Sequence, residues 1–209
     1  MSGASPFAAG CEGTPQTGMV FRNAEVEPWV DVNLADDNNL VGNWQQDRWS
    51  NGGSSGNLSA YSLNGGTSWT IPPVSAASNT GQAKFSRCTG GSAANGGDFE
   101  RATDPWVSFS PNGVAHQVAL GINDSNVANA VLTSRSSDKG ANWEDPVVVK
   151  FDDRANFFND KETLTADPTD SSFVYVTWQR IVASQRAGQR ARRRAGRGVP
   201  VDRLVCPLG

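Results

Sequence analysis

The chain has 209 residues, of which 37% are hydrophobic and 9% aromatic, so it can bury the core of one domain and is not a disordered protein. The net charge of −3 conceals an asymmetry: eight Arg and a single Asp lie from Arg180 onward, which leaves ten basic and twenty acidic side chains in residues 1–179. An acidic body argues against binding of nucleic acid through phosphates, and the lack of any run of about eighteen apolar residues argues against a transmembrane helix.

The first 24 residues are small, polar and contain Gly and Pro, which predicts a leader or an edge segment. Met1–Gly10 has neither the basic n-region nor the apolar h-region of a signal peptide. Beyond them, short apolar runs alternate with clusters of Asn, Gly, Ser and Asp, and no long helical periodicity occurs before residue 180. This pattern is typical of an all-β chain that is rich in turns.

A unit of two strands around a polar turn occurs three times, and each copy opens near acidic residues. Pro28 and Pro105 are 77 residues apart, and Trp69 and Trp143 are 74 apart, so the first two copies keep register. With a further hairpin, each unit makes one four-stranded β-propeller blade of about 45 residues. The sequence therefore predicts about two and a half blades over residues 25–183, with an insertion at residues 72–101. The predicted strand segments are 25–33, 40–46, 58–61, 69–71, 103–110, 114–122, 130–133, 147–149, 161–167 and 173–178.

Two turns share the pattern S-x-[D/N]-x-G-x-[S/N]-W, at 62–69 and 136–143. In such a turn the Asp or Asn side chain accepts hydrogen bonds from the backbone, the Gly takes a positive φ, and the Trp covers the turn with apolar area. We therefore expect two folded hairpin turns that join the third and fourth strands of their blades. Their structural residues are Ser62, Asn64, Gly66, Trp69, Ser136, Asp138, Gly140 and Trp143.

The turn pattern resembles the Asp-box, or bacterial neuraminidase (BNR) repeat, of sialidase-type β-propellers. With the segments 46–53 and 159–162, the chain is similar over residues 20–180 to secreted exo-α-sialidase-like glycosyl hydrolases. The resemblance implies a six-bladed propeller of which this chain is a part, a glycan substrate, an extracellular or periplasmic location, and the remaining blades as a partner. An isolated part of a propeller is expected to be inactive, to expose apolar surface on its last blade, and to associate.

Strand direction predicts where the candidate site lies. In a meander of four strands, the first and third turns share one face, whereas the second turn and the opening of the first strand share the other. Carboxylates around an Arg and a Trp suit sugar binding and glycosidic acid/base chemistry, although each could instead be a polar end-cap bonded to a neighbouring blade. The residues expected on the face opposite the repeat turns are Glu27, Asp47, Arg48, Trp49, Asp104, Asp124, Asp160 and Glu162.

The resemblance assigns roles to these residues. It implies that Asp47 is the acid/base, from the loop between strands two and three. We expect Asp160 and Glu162 to be further catalytic carboxylates, and the other five to bind substrate: Glu27, Arg48, Trp49, Asp104 and Asp124. No metal or other cofactor is expected.

The chain departs from the family's pattern at two places. The family's first Arg belongs to an R-I-P sequence that opens the first inner strand. This chain has Val26-Glu27-Pro28 at that place, and Phe21-Arg22-Asn23 matches the sequence only weakly. Tyr61 and Tyr175 both lie inside predicted strands, so the family's Tyr–Glu nucleophile is either missing or belongs to blades outside this chain. Two hypotheses follow: an inactive part of a sialidase-like glycoside hydrolase, or a non-catalytic propeller that binds a glycan or a protein.

Three further features complete the sequence-based expectations. Cys11 and Cys88 form a disulfide or remain two thiols, and no C-x-x-C spacing suggests a metal site. His116 lies in a strand interior and is expected to be packed. All seven Trp lie at or near the repeat elements, which favours packing between blades.

The basic tail, residues 184–209, has two interpretations. It is either a selected tail for nucleic acid or an anionic surface, or sequence out of frame after about Ala183. In the second case it should be disordered, or at most a marginal helix of Arg and Ala, and Cys206 should be unpaired. An ordered strand at 199–208 beside the third blade would argue against frame loss.

Overall fold

A computed structural model describes residues 3–183 and the backbone of 201–207. The described chain is all-β and antiparallel, with a short 3-10 helix at Arg87–Thr89 as its only helix. None of its helices has the length and apolar character needed to cross a membrane. The strands are β1 Val20–Val32, β2 Leu40–Trp49, β3 Ser54–Ser62, β4 Arg101–Phe109, β5 Ala115–Ile122, β6 Asn129–Ser136, β7 Val147–Asp152, β8 Phe157–Ala166, β9 Phe173–Val182 and β10 Val201–Pro207.

These strands form a partial β-propeller, as predicted, with three consecutive blades where about two and a half were expected. Blade 1 is β1–β3, blade 2 is β4–β7 and blade 3 is β8–β10. Blades 1 and 2 are connected along the sheet by one residue pair, Ser54 with Ala102. The fourth strand expected in blade 1 is reduced to a single bridge between Tyr61 and Thr70. Pro72 and Pro73 follow this bridge, and because proline has no N–H it cannot extend a hydrogen-bonded ladder.

The two repeat turns have the same internal hydrogen bonds. The hydroxyls of Ser62 and Ser136 accept from the N–H groups of Gly66 (2.9 Å) and Gly140 (3.0 Å), and donate to Asn64 and Asp138. The Asn64 and Asp138 side chains accept the N–H groups of Ser68 (2.9 Å) and Asn142 (2.8 Å). Gly66 and Gly140 have φ of 85° and 94°, which is the left-handed conformation that their position requires. The predicted turn geometry is thus present in both copies.

The expected separation of the two ends of the blades is also present. At one end, the first turn of blade 1 meets the repeat turn of blade 2: the Lys139 ammonium lies 2.8 Å from Asp36, and the Asn39 amide donates to the Lys139 carbonyl. At the other end, Asn51 after β2 donates to Asp124 after β5 at 3.4 Å. First and third turns therefore share one end, and second turns share the other.

The core lies between the blades. Val41 of blade 1 packs with Leu132 and Trp143 of blade 2, and on the opposite side of blade 2 Val118 packs with Leu164 and other apolar residues of blade 3. These side chains are almost fully buried because alternate residues of each strand point to opposite faces of the blade, so that blade 2 is covered on both sides.

The observed segment boundaries on both sides of blade 1 differ from the predicted leader (1–24) and insertion (72–101). β1 begins at Val20, inside the segment expected to be a leader, and Phe7 is buried against Leu58 of blade 1. Cys11 and Cys88 form the disulfide that was one of the two alternatives, which fixes the N-terminal segment to the insertion. The insertion ends before Arg101, which is the first residue of β4.

Part of the tail differs from the expectation of disorder. The backbone of Val201–Pro207 forms β10, which pairs with β9 in antiparallel register from Val201–Gln179 to Pro207–Phe173. This segment contains Val201, Leu204 and Val205, and β9 offers it an otherwise unpaired edge, which is a template for strand addition. An ordered strand here argues against frame loss; the pairing state of Cys206 and residues 184–200 lie outside the described side chains and backbone.

Candidate functional site

The innermost strands of the three blades share one backbone irregularity. β1, β4 and β8 share a register shift at which a non-glycine residue has a positive φ: Glu27 (52°), Asp104 (50°) and Lys161 (55°). β1 has a second shift nearer its start, at Asn23 (62°). A side chain rarely adopts this conformation, and a β-bulge re-aims the residues beside it. The bulges therefore direct equivalent residues of three blades to one place, where the strands open.

The third blade carries different side chains at the bulge. Lys161 occupies the position of Glu27 and Asp104, and Glu162 occupies the position of Pro28 and Pro105. The sequence pattern alone had grouped Glu162 with the carboxylates that open the other first strands. The structure instead places a cation in the third bulge, with a carboxyl immediately after it.

Two cavities meet at these bulges, and both have Glu27, Asp104 and Lys161 in their walls. The smaller, about 200 Å³, is also lined by Glu162 and by the two tryptophans that follow the prolines. The larger, about 410 Å³, extends outward to Arg48 and Asp160. Trp29 and Trp106 stack with their ring centroids 3.6 Å apart and form an aromatic wall. We call the two cavities together the acidic groove.

Glu162 has the most unusual environment in the acidic groove. It is 2% exposed, and neither of its carboxyl oxygens has a hydrogen-bond partner among the described residues. Burial raises its pKa well above the usual value, and the nearby charges of Asp104 and Asp160 raise it further. Burial therefore favours the neutral form of the Glu162 carboxyl, and that form can donate a proton or a hydrogen bond.

Unlike Glu162, the neighbouring carboxylate of Asp104 has hydrogen-bond donors. Asp104 accepts the Lys161 N–H at 3.0 Å and the Thr103 hydroxyl at 2.9 Å, and the Lys161 ammonium lies 3.9 Å away. Burial raises the pKa of Asp160, and the charge of Asp104 adds to this effect. Burial and mutual charge therefore raise the pKa of both Asp160 and Glu162, whereas Asp104 is held by fixed hydrogen-bond donors.

Arg48 lines the larger cavity and is linked to Glu27 by hydrogen bonds through the Gln45 side chain. Its guanidinium donates to the Gln45 side-chain oxygen at 2.9 Å and to the Gly53 carbonyl at 3.0 Å, and the Gln45 amide donates to Glu27 at 2.6 Å. Gln45 is fully buried, so it holds Arg48 and Glu27 in fixed relation. The structure therefore brings six of the eight predicted site residues to the walls of the acidic groove: Glu27, Arg48, Asp104, Asp124, Asp160 and Glu162.

Asp47 lies apart from this group and lines neither cavity. It is fully buried at a positive-φ position (60°) near the end of β2, and its carboxylate lies 3.0 Å from the Arg22 guanidinium. It also accepts hydrogen bonds from Ser5, Asn23 and Gln46. A carboxylate with this many fixed donors is positioned to hold the N-terminal segment on β2, which differs from the acid/base role that the resemblance implied.

Trp49 and Asp124 both contact Arg101, a residue that the sequence pattern did not indicate as part of a site. Arg101 is buried, and its guanidinium stacks 4.5 Å above the Trp49 ring and lies 3.2 Å from Asp124. It also donates to the Thr17 carbonyl and the Gly52 carbonyl. Trp49 is thus buried beneath Arg101, whereas Arg101 and Asp124 form an ion pair in the wall of the larger cavity. The one sequence signal for a role of Arg101 near the site is its position as the first residue of β4.

The remaining candidates lie outside the groove. Tyr61 packs against the core between blades 1 and 2, and the Tyr175 hydroxyl donates to Asp167 at 3.2 Å. His116 is buried as expected: burial lowers its pKa to about 4, and its Nε2 lies 2.9 Å from the Ser110 hydroxyl. Neither described tyrosine can act as a nucleophile in the acidic groove.

A first prediction concerns Glu162. Because burial favours its neutral form, the folded state binds more protons than the unfolded state between the ordinary and the raised pKa, and the free energy of unfolding falls as pH rises through that window. Glu162→Met removes an unpaired buried polar group, so we expect it to raise the free energy of unfolding at pH 7 by about 1–3 kcal/mol and to flatten the pH dependence. Urea denaturation between pH 4 and 9 measures both.

Glu144→Gln is the matched control, because Glu144 is an exposed carboxylate paired with Arg135. It should change the free energy of unfolding by less than about 1 kcal/mol at every pH. A Glu162→Met variant that is less stable than the wild type at pH 7, with the slope unchanged, would contradict this account of Glu162.

Comparison with known proteins gives structural likeness only. No family model matches the chain, and no curated protein matches it. Among solved structures it is similar to an α-L-arabinofuranosidase from Fusarium graminearum in complex with an iminosugar inhibitor, at 15% identity and a TM-score of 0.47 over 75% of this chain and 40% of that one. It is also similar to the Hadza microbial sialidase Hz136, at 16% identity and a TM-score of 0.49 over 76% of this chain and 33% of that one. The chain thus spans well under half the length of either enzyme.

Proposed function

We propose that the acidic groove binds the terminal sugar of a glycan and that the chain is part of a sialidase-like glycoside hydrolase. Glu162 carries the proposal, because a neutral acid buried beside ionisable Asp104 and Asp160 is the pairing that glycosidic cleavage uses. The proposed chemistry is hydrolysis. Glu162 gives its proton to the glycosidic oxygen as the bond from that oxygen to the anomeric carbon breaks, and a water adds to the carbon while Asp104 or Asp160 takes its proton.

Arg48 and the aromatic wall supply sugar recognition in this proposal. The guanidinium lines the outer cavity and can bond to a carboxylate or hydroxyl of the sugar, while Trp29 and Trp106 offer apolar area to a ring. Sialic acid carries such a carboxylate, so it is the first sugar to test. The Cys11–Cys88 disulfide supports the proposed extracellular or periplasmic location, because disulfides persist in oxidising compartments.

The second candidate is a non-catalytic propeller that binds a glycan. The positions of Tyr61 and Tyr175 favour it, because a retaining sialidase of the resembled family uses a tyrosine nucleophile and neither of these two reaches the groove. Both candidates share the acidic groove and differ in what the groove does to the bound sugar. In either case, the chain alone is not expected to turn over a sialoside.

The binding prediction is tested by titrating the chain with N-acetylneuraminic acid and with arabinose, followed by NMR. We expect sialic acid to shift signals of groove residues. Because a hydrogen bond to a charged group contributes about 1.5–3 kcal/mol, Arg48→Ala should weaken that binding about tenfold or more. Arg135→Ala, an exposed arginine outside the groove, is the control and should leave the affinity unchanged. If neither sugar perturbs the groove, the proposed function is wrong.

An unsaturated sialic acid analogue with a flattened ring separates the two candidates. A hydrolase groove is complementary to the flattened transition state and should bind the analogue at least about a hundredfold more tightly than the sugar, whereas a binding module should not distinguish them in this way. A fluorogenic sialoside completes the test. Turnover by the isolated chain would contradict the expectation that it is inactive alone.

A further inference from the structure

The internal repeat shows which face of a blade another blade covers. We define the front face of a blade as the side that carries its repeat-turn tryptophan, and the back face as the other side. The front face of blade 2 includes Val107, Phe109, Leu132 and Trp143, all at most 5% exposed. These side chains pack on the back face of blade 1, where Val41 is fully buried and Tyr61 contacts the same cluster.

The same junction occurs once more in the described chain. The front face of blade 3, with Leu164 and Val176, packs on the back face of blade 2, with Val118 and Val131. Both internal junctions therefore join a front face to the back face of the preceding blade. This front-to-back packing of neighbouring blades is seen in the strand register of this chain and does not depend on comparison with another protein.

The front face of blade 1 has no blade against it within the described residues; Phe7 of the N-terminal segment packs on its Leu58, and the rest of the face is left open. Val30 stands where blade 2 has Val107, because Val30 pairs with Gly42 as Val107 pairs with Gln117. Val30 is 53% exposed and Trp69 is 44% exposed, against 1% and 0% for their counterparts Val107 and Trp143. A cavity of about 730 Å³ opens on this face and is lined by Val30, Trp44, Trp69 and Ile71 among other residues.

The back face of blade 3 is the complementary surface at the other end. On β9, Val174 and Val176 point toward blade 2, and the alternate residues Phe173 and Tyr175 point away from it. Tyr175 corresponds in register to Val41, because Tyr175 pairs with Thr165 as Val41 pairs with Asp31. Val41 is fully buried, whereas Tyr175 is 37% exposed.

We propose that a second copy of the chain covers both surfaces, with the front face of blade 1 of each copy on the back face of blade 3 of the other. Each contact would repeat the geometry of the two internal junctions. Head-to-tail contacts close into a ring when the rotation permits, and two copies of three blades give six, within the usual four to eight blades of a propeller. The closed dimer leaves neither face exposed to water.

The ring also completes the channel onto which the acidic groove opens. Each copy contributes its own Glu27, Asp104 and Lys161 bulges, so the dimer lines the channel with two sets of these residues. This inference rests on packing and register and does not depend on which ligand the groove binds.

Analytical ultracentrifugation of the full chain tests the proposal. We expect a species of twice the 22.2 kDa chain mass. Trp69→Glu or Tyr175→Glu alone should give a monomer, because each places a charge in both contacts of the ring. Val127→Glu is the control, since Val127 is 49% exposed in a loop of the middle blade, and it should remain dimeric. Should either variant fail to melt cooperatively, Val30→Glu or Phe173→Glu on the same face replaces it.

Mixing the two variants identifies the head-to-tail arrangement. A Trp69→Glu copy retains a normal back face, and a Tyr175→Glu copy retains a normal front face, so the mixture has one intact contact and should regain dimer. A symmetric contact between two front faces predicts instead that the Tyr175→Glu variant dimerises alone. It also predicts that the Trp69→Glu variant stays monomeric after mixing. That result, or a wild type that is monomeric at all concentrations, overturns the proposal.

Discussion

Replacing Arg101 with alanine is expected to lower the free energy of unfolding by about 3–5 kcal/mol, because it leaves a partner charge without its counter-ion in a buried network. The Arg101 side chain is 2% exposed, and Asp124, which lies 3.2 Å from it, is 13% exposed. The same substitution also removes the cation–π contact with Trp49 and the donors to the carbonyls of Thr17 and Gly52. Urea denaturation followed by tryptophan fluorescence measures the loss.

Arg135→Ala is the matched control for Arg101→Ala. Arg135 also pairs with a carboxylate, Glu144, at 2.8 Å, but both side chains are about 40% exposed. Such a pair contributes less than about 1 kcal/mol. Equal losses for the two variants would show that the buried network is not what holds the loops of blades 1 and 2 together.

Loss of the Cys11–Cys88 disulfide is expected to cost about 4 kcal/mol. The bond joins residues 77 apart, and in the chain-entropy model a cross-link over that length removes this much conformational freedom from the unfolded chain. Thermal melting with and without reductant should show the difference. The double variant Cys11→Ser with Cys88→Ser should melt like the reduced protein and be insensitive to reductant. Identical melting of the oxidised and reduced wild type would contradict the prediction.

Local patterns predicted the turns and the strand order well. The Ser, Asn or Asp, Gly and Trp of the repeat turns act within eight residues, so their hydrogen bonds are visible as a spacing in the sequence. The end of the blades that carries Glu27, Asp104 and Glu162 followed from counting strands, because antiparallel neighbours alternate direction. These are properties of a single hairpin or a single blade.

Long-range pairings were not predictable in the same way. Arg101 meets Thr17 and Asp124 through the folding of three separate loops, and nothing in the spacing of these residues indicates that they meet. Asp47 stands where a catalytic acid was expected, but its bonds to Ser5 and Arg22 depend on the path of the N-terminal segment. The same bulge occurs in β1, β4 and β8, and in β8 the residue at its positive-φ position is Lys161, with the carboxylates Asp160 and Glu162 on either side of it.

The three bulges have a consequence for how this propeller can evolve. The positive φ at Glu27, Asp104 and Lys161 belongs to the backbone of each inner strand, and the fold already accepts an acid of either length and a base at this position. The bulge conformation is therefore compatible with either sign of charge, whereas the hydrogen bonds that Gln45 and the Lys161 N–H donate require an acceptor at positions 27 and 104. An amide of the same length as the acid keeps an acceptor at either position and removes the charge, so the charge of the groove can change while the bulges stay in place.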